Sequence, residues 1–288
     1  MTAADRQITA RRVSFDETLQ ALPKHFAGDG DLIMSHVVAN LSSVFPEGED
    51  FFVRSVRHFR DQITDPELKK QVAGFIGQEA IHGREHRDFN ERLHELGYPT
   101  RRMDRLTKHG LALREKFLPA KSNLAATAAL EHYTATLAEV LLSDPEARAT
   151  FGDDNVVNLH LWHALKEAEH KAVAFDVFRA VGGSERMRIW TMYGVNIGFV
   201  LGMSLQVAIS VLLDRSWWRN PKMLLDSLRR LRRSPFLQRD VVDRIKDYHR
   251  EGFHPDDHET DDLLAEWRDR LFGDDGSLND RFTTRLAS

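Results

Sequence analysis

Two short stretches decide how this chain folds: Glu79-Ala80-Ile81-His82 and Glu167-Ala168-Glu169-His170. In each, a carboxylate and an imidazole stand three residues apart, which on a helix puts both on one face. Around the first, the residues at helical spacing are Leu68, Val72, Phe75 and Ile76, then Glu79, His82 and His86, then Phe89, Leu93 and Leu96. Around the second they are Val156, Leu159, His163, Glu167, His170, Ala174, Val177 and Val181. Ionisable residues therefore interrupt an apolar stripe in its middle, on the face that turns inward.

Each of these helices follows another that carries a lone inward carboxylate. The helix expected from about Ala120 to Leu142 sets Glu131 between Leu124, Ala128, Ala135, Ala138 and Leu142. The helix that Pro46 can open, running to about Thr64, sets Glu49 one turn before Phe52, Val53 and Val56. Glu47 competes with Glu49, although an acid in a first turn also suits the helix dipole. The first two helices thus resemble the second two in the order of their polar core residues. An isolated ionised carboxylate in a core costs on the order of several kcal/mol, and four facing one another repel. Positive charge has to be supplied, and four carboxylates completed by neutral imidazoles fit two divalent or trivalent metal ions.

Helical signals dominate the rest of the chain, so the fold class is all-α. Residues 1–30 read as an irregular N-terminal segment, with Pro23 and Gly28–Gly30 as breakers, and a helix is expected from Asp31 to Val44. Residues 31–183 read as a four-helix bundle. Within it, Asp65-Pro66-Glu67 opens the first motif helix and Gly97-Tyr98-Pro99 ends it, a partly helical connection reaches Pro119, and Gly182-Gly183 stops the helix begun near Asp154. Residues 184–272 add further helices, and 273–288 read as a loose tail.

Composition limits the functions available. The chain has 288 residues, 42% hydrophobic and 29% charged, as a globular protein has. A net charge of −4 and a pI near 6.4 argue against a nucleic-acid partner. There is no cysteine, so disulfides, thiolate ligands and cysteine nucleophiles are excluded, and any metal is held by His, Asp and Glu. Residues 1–12 have no apolar core of signal type, so a cytoplasmic location is expected. Residues 189–213 contain no charge and are long enough to span a bilayer, but Thr191, Asn196, Ser204, Gln206 and Ser210 interrupt them. Gly194, Gly198 and Gly202 suit close helix packing. A buried or surface-embedded helix is expected ahead of a span. The cations that follow (Arg215, Arg219, Lys222, Arg229, Arg230, Arg232, Arg233) suit an anionic membrane surface or, equally, a solvated face. A homodimer is left open.

A Glu from each of two helices plus Glu-x-x-His from each of two others resembles the ferritin-like di-iron carboxylate superfamily. The resemblance implies Glu49, Glu79, His82, Glu131, Glu167 and His170 as metal ligands. His163-x-x-x-Glu167-x-x-His170 is similar to the p-aminobenzoate N-oxygenase branch, which implies His163 as a further ligand. Over nearly its whole length the chain also resembles a bacterial family described as metal-dependent hydrolases, through Phe45-Pro46-Glu47-Gly48-Glu49, Gly77-Gln78-Glu79-Ala80-Ile81-His82 and Gly252-Phe253-His254-Pro255.

Other residues stay with alternatives. His86 is a ligand, a supporting partner or core, and His132 a supporting or structural residue. Glu169 points off the stripe and is expected in solvent, while His36, His58 and His160 are read as structural. His249, His254 and His258, with Asp256, Asp257 and Glu259, are read as a surface loop rather than a second metal site. The leading expectation is a di-iron oxidase or oxygenase that uses O2 and an electron donor on a small hydrophobic or lipid-like substrate, with iron ahead of manganese or zinc. The alternatives are a dimetal hydrolase and a non-catalytic iron-binding protein. No nucleophile elbow, phosphate loop or dinucleotide fingerprint is present.

Overall fold

The computed structural model describes residues 8–9 and 11–282. Among these the chain is all-α, and a lone bridge between Val13 and Phe282 is its only β-pairing. After α1 (Asp16–Leu19), α2 (Leu32–Arg57) and α3 (Pro66–Glu95) pack together as a hairpin, with α4 (Thr100–Phe117) laid against α2. A second hairpin follows: α5 (Ala120–Ser143), the short α6 (Pro145–Ala149), then α7 (Asp154–His170) continued by α8 (Val173–Ala180). The long α9 (Glu185–Leu213) packs on α2 and α5. The chain finishes with α10 (Ser216–Arg219), α11 (Pro221–Leu231), α12 (Arg239–Asp247) and α13 (Asp261–Phe272).

Local chemistry sets the helix ends. Asp31, Asp65 and Asp153 each accept a backbone N–H of the first turn, supplying a partner that the helix itself lacks. Gly97 and Gly182 adopt the left-handed conformation, at φ 95° and 73°. Each closes its helix with two backward hydrogen bonds: Gly97 to His94 and Tyr98 to Leu93, and Gly182 to Arg179 and Gly183 to Phe178.

The core has two apolar clusters, one at each end of the four main helices. One gathers Val38, Phe89, Leu142 and Leu159; the other gathers Phe52, Val72, Leu124 and Val177. The inward Glu and His residues lie in sequence between them on all four helices, so a polar layer is sealed from both sides.

Four expectations are corrected. Pro46 does not open a helix, because α2 runs through it. A proline lacks the N–H that would bond the carbonyl four residues back, and here Asn90 of α3 donates its Nδ2 to that carbonyl, Ser42 O, at 3.0 Å. The helix begun near Asp154 is interrupted at Lys171–Ala172, where the buried Lys171 turns to Glu139 Oε1 (3.0 Å) and the His258 carbonyl (2.6 Å). The tail is not loose up to residue 282: Leu278 is fully buried, and Arg281 accepts from Ser14 N at 3.1 Å. Residues 283–288 lie outside the described residues. Finally, the glycines of α9 are not close-packed. A Cβ at Gly194, Gly198 or Gly202 would meet nothing within 4 Å.

Candidate metal centre

The polar layer brings together seven buried side chains: Glu49 from α2, Glu79 and His82 from α3, Glu131 from α5, and His163, Glu167 and His170 from α7. They contain two groups whose ligand atoms lie within 4.8 Å of one another, Glu49–His82–His163 and Glu79–Glu167–His170. His82 Nδ1 is 3.5 Å from both Glu79 Oε1 and Glu167 Oε1, so these carboxylates stand between the groups. His170 Nε2 lies 3.2 Å from Glu79, 3.3 Å from Glu131 and 3.7 Å from Glu167. His163 Nε2 lies 2.9 Å from Glu167 and 3.8 Å from Glu49.

These residues fit metal ions on a direct observation. Both oxygens of Glu49, Glu79 and Glu131, both nitrogens of His82, Glu167 Oε2 and His170 Nε2 are buried with no hydrogen-bond partner. Native interiors tolerate few such orphans, and here they converge on one small volume with the oxygen and nitrogen donors that divalent cations take. The electrostatics agree. Burial and the neighbouring carboxylates hold Glu49 well above the usual carboxylate range. Burial raises Glu79 and Glu131 to about 8. Burial also opposes the charge on Glu167, but the imidazoles of His163, His170 and His82 around it outweigh burial and hold this group well below its ordinary value. Four ionised carboxylates cannot share this layer at neutral pH without added positive charge.

Hydrogen bonds fix the orientation of two of the imidazoles. Asn90 spends its Nδ2 on Ser42 O, so its Oδ1 is the acceptor for the Ser42 hydroxyl at 2.8 Å. With its proton spent, Ser42 Oγ accepts from His86 Nδ1 at 2.9 Å. His86 Nε2 then accepts from His163 Nδ1 at 2.6 Å, and His163 presents Nε2 to the cluster. Burial, with His163 beside it, holds His86 well below the ordinary histidine range, as a neutral acceptor requires. On the other side, Gln78 Nε2 donates to Glu169 Oε2 (2.9 Å) and to the Thr9 carbonyl (3.1 Å), so Gln78 Oε1 accepts from His170 Nδ1 at 2.8 Å. His170 is likewise left with Nε2 toward the carboxylates, the arrangement by which outer partners set a metal-binding tautomer.

His86 thus supports His163. The other two supporting candidates lie elsewhere. Glu47 meets Lys108 at 3.3 Å, and His132 packs on Tyr248 and Phe253 with its Nε2 at the Arg244 carbonyl. Glu169 is not solvated. It is 1% exposed because Lys166 (2.8 Å) and Arg268 (2.7 Å) compensate its charge. Three residues escaped the sequence reading: Ser42, Gln78 and Asn90. Their signal was weak, since small polar residues on a helix usually face water. His160, read as structural, lines the cavity described next. Its Nδ1 donates to the Val156 carbonyl at 2.8 Å, and its buried Nε2 has no partner. Its spacing of three residues before His163 was the available clue. Among the described residues the late histidines form no metal-compatible group, and His254 pairs with Asp176 at 2.9 Å.

An apolar cavity of about 390 Å³ reaches the cluster. Glu49, His163 and Glu167 form its polar end, and α2, α4, α5 and α9 supply walls such as Leu41, Leu111, Leu137, Phe199 and Met203. Gly198 and Gly202 lie on its α9 side, where the missing side chains leave the space open.

A family described as predicted metal-dependent hydrolases matches the chain over residues 9–259. No curated protein and no solved structure matches it. The family description overturns the expectation of an oxygen-activating di-iron enzyme and agrees with the hydrolytic alternative.

Proposed function

The chain belongs to the family of predicted metal-dependent hydrolases, and from that premise we propose that it cleaves an apolar ester or amide at a pair of divalent metal ions. The ligands in this reading are Glu49, Glu79, His82, Glu131, His163, Glu167 and His170. The observation that carries it is the set of buried, partnerless carboxylate and imidazole atoms at the end of an apolar cavity.

Bound there, two cations would supply Lewis acidity and a water activated near neutral pH. The protein's own groups do the remaining work. Glu79 and Glu167 lie between the two ligand groups and hold them at a fixed separation. Gln78 and His86 keep His170 and His163 turned with Nε2 inward. The cavity wall strips water from an apolar substrate and brings its polar bond to the end where Glu49, His163 and Glu167 are found. His160, whose pKa burial pushes down to about 4, stays neutral and offers its unpartnered Nε2 as a hydrogen-bond acceptor to substrate or water. Zinc and manganese both suit a mixed shell of imidazole and carboxylate.

The test joins metal analysis with catalysis. Protein purified without chelators should carry about two metal ions per chain and cleave p-nitrophenyl esters or anilides, preferring longer acyl groups. Glu167→Ala should lose both the metal and the cleavage. Unchanged metal content in Glu79→Ala and Glu167→Ala would show the ligand assignment to be wrong. A metal-loaded protein inert toward esters and amides of every chain length would remove the hydrolytic reading.

A further inference from the structure

We propose that α9 lies flat on an anionic membrane surface, embedding its outer face without crossing the bilayer. The helix has 29 residues and is long and apolar enough to span, yet only 11% of its most apolar window is buried. Its large exposed apolar side chains include Trp190, Tyr193, Ile197, Val200, Leu201, Leu205 and Leu212, a stripe at helical spacing facing away from the protein. Leu213 at the helix end and Trp218 beyond it extend the stripe, with 60% and 68% exposure. A continuous apolar strip of this length exceeds what soluble surfaces normally leave in water.

Three fastenings argue against a span. Near the first turn, Arg188 is fully buried, donates to the Tyr248 and Arg250 carbonyls and stacks over the Tyr248 ring. Midway, the Tyr133 hydroxyl donates to Asn196 Oδ1. At the far end, Ser210 and Asp214 are held by His36 (2.7 and 3.2 Å), and Asp214 also by His25 and Lys24 (both 2.9 Å). Crossing the bilayer would break all three and strand a buried arginine. The helix therefore keeps one face on the protein, and only the other is free to meet lipid.

Charge identifies the occupant. Between residues 214 and 233 stand seven cations and two aspartates, in a chain whose net charge is −4. Arg215, Arg219, Lys222, Arg232 and Arg233 are exposed, and among the described residues none has a carboxylate at ion-pair distance. Basic residues beside an apolar helix face are what anionic headgroups attract, each adding to binding until salt screens it. Trp190 and Tyr193 near one end and Trp218 beyond the other are the amphipathic aromatics that favour the headgroup level. The cavity lies behind this same helix, so docking would set its glycine-lined side close to the lipid.

The experiment is co-sedimentation of the full-length, metal-loaded protein with vesicles of phosphatidylcholine alone or with phosphatidylglycerol added. The expected result is binding to the anionic vesicles that weakens with salt, roughly tenfold or more above neutral vesicles. Leu201→Glu with Leu205→Glu should abolish it, while the circular dichroism stays helical. Arg219→Glu with Lys222→Glu should remove the preference for anionic lipid and leave the fold intact, which separates docking from misfolding. Trp190 fluorescence should be quenched by shallow, not deep, brominated lipid. Absence of vesicle binding together with a concentration-dependent dimer would overturn the proposal and give the face to a second copy of the chain. Quenching at mid-bilayer depth would overturn it in favour of a span. The assay does not depend on hydrolysis, so the two readings can fail separately.

Discussion

The two ligand groups of the polar layer are built from the same residue types but supported in opposite ways. Glu49–His82–His163 borders the cavity, and its support is a neutral line through His86, Ser42 and Asn90. Glu79–Glu167–His170 touches the cavity only through Glu167, and its support is ionic: Gln78 leads to Glu169, which Lys166, Arg268 and Arg11 surround. Neutral hydrogen bonds fix geometry with little long-range field. A buried ion cluster is rigid but costly if any member is lost. The difference suggests a division of labour, with the enclosed group anchoring the metals and the open group meeting the substrate.

The comparison breaks most readily at Glu169. Glu169→Ala would leave Lys166 buried with its partner gone and Gln78 free to turn, so a loss of about 3–5 kcal/mol is expected. Thermal unfolding and metal content should fall together, and Lys166→Met added to Glu169→Leu should restore much of the stability. A small effect of Glu169→Ala would mean the ionic support is ornamental. His163→Ala should act next in size and differently. Metal content should drop from about two ions per chain toward one, with less change in melting temperature, because the enclosed group keeps its ligands. Loss of both ions would erase the proposed division.

The smallest expected effect is also the most specific. Asn90→Ala leaves the Ser42 carbonyl unpaired and should cost about 1–3 kcal/mol. In a Pro46→Ala background residue 46 regains an N–H for that carbonyl, so the same change should cost less. Equal costs in both backgrounds, measured by denaturant unfolding, would show that the proline and the asparagine are not coupled.

This last pair shows what a sequence can and cannot disclose. The seven clustered residues were legible because buried ionisable groups on an apolar stripe are costly, and spacing alone puts Glu79 beside His82 and Glu167 beside His170. The long helices were legible for the same reason, with caps at Asp65 and Asp153 and stops at Gly97 and Gly182. Pro46 misled, because its local rule predicts a helix start while the compensating donor lies 44 residues away on another helix. Glu169 misled in a similar way. It points off the stripe of α7, and the approach of α13 with Arg268, of Gln78 from α3 and of Arg11 makes that face interior. Gln78 and Ser42 carry no signal of their own, since what they do depends on which helix comes to face them. The division between oxidation and hydrolysis was not legible either, because the same carboxylate and histidine set serves both chemistries, and it is the family match, not the spacing, that favours hydrolysis.

The bridge between Val13 and Phe282 ties almost the first described residue to the last. In the order of synthesis this makes the segment around Val13 late to be secured, since its partner Phe282 is made long after it. That segment is more than a cover. Thr9 takes the second amide hydrogen of Gln78, Arg11 sits 3.5 Å from Glu169, and the Phe15 backbone N–H reaches Glu85 at 3.2 Å. The support of the enclosed group is thus assembled from segments far apart in sequence, and Arg268 is made after every residue of the open ligand group.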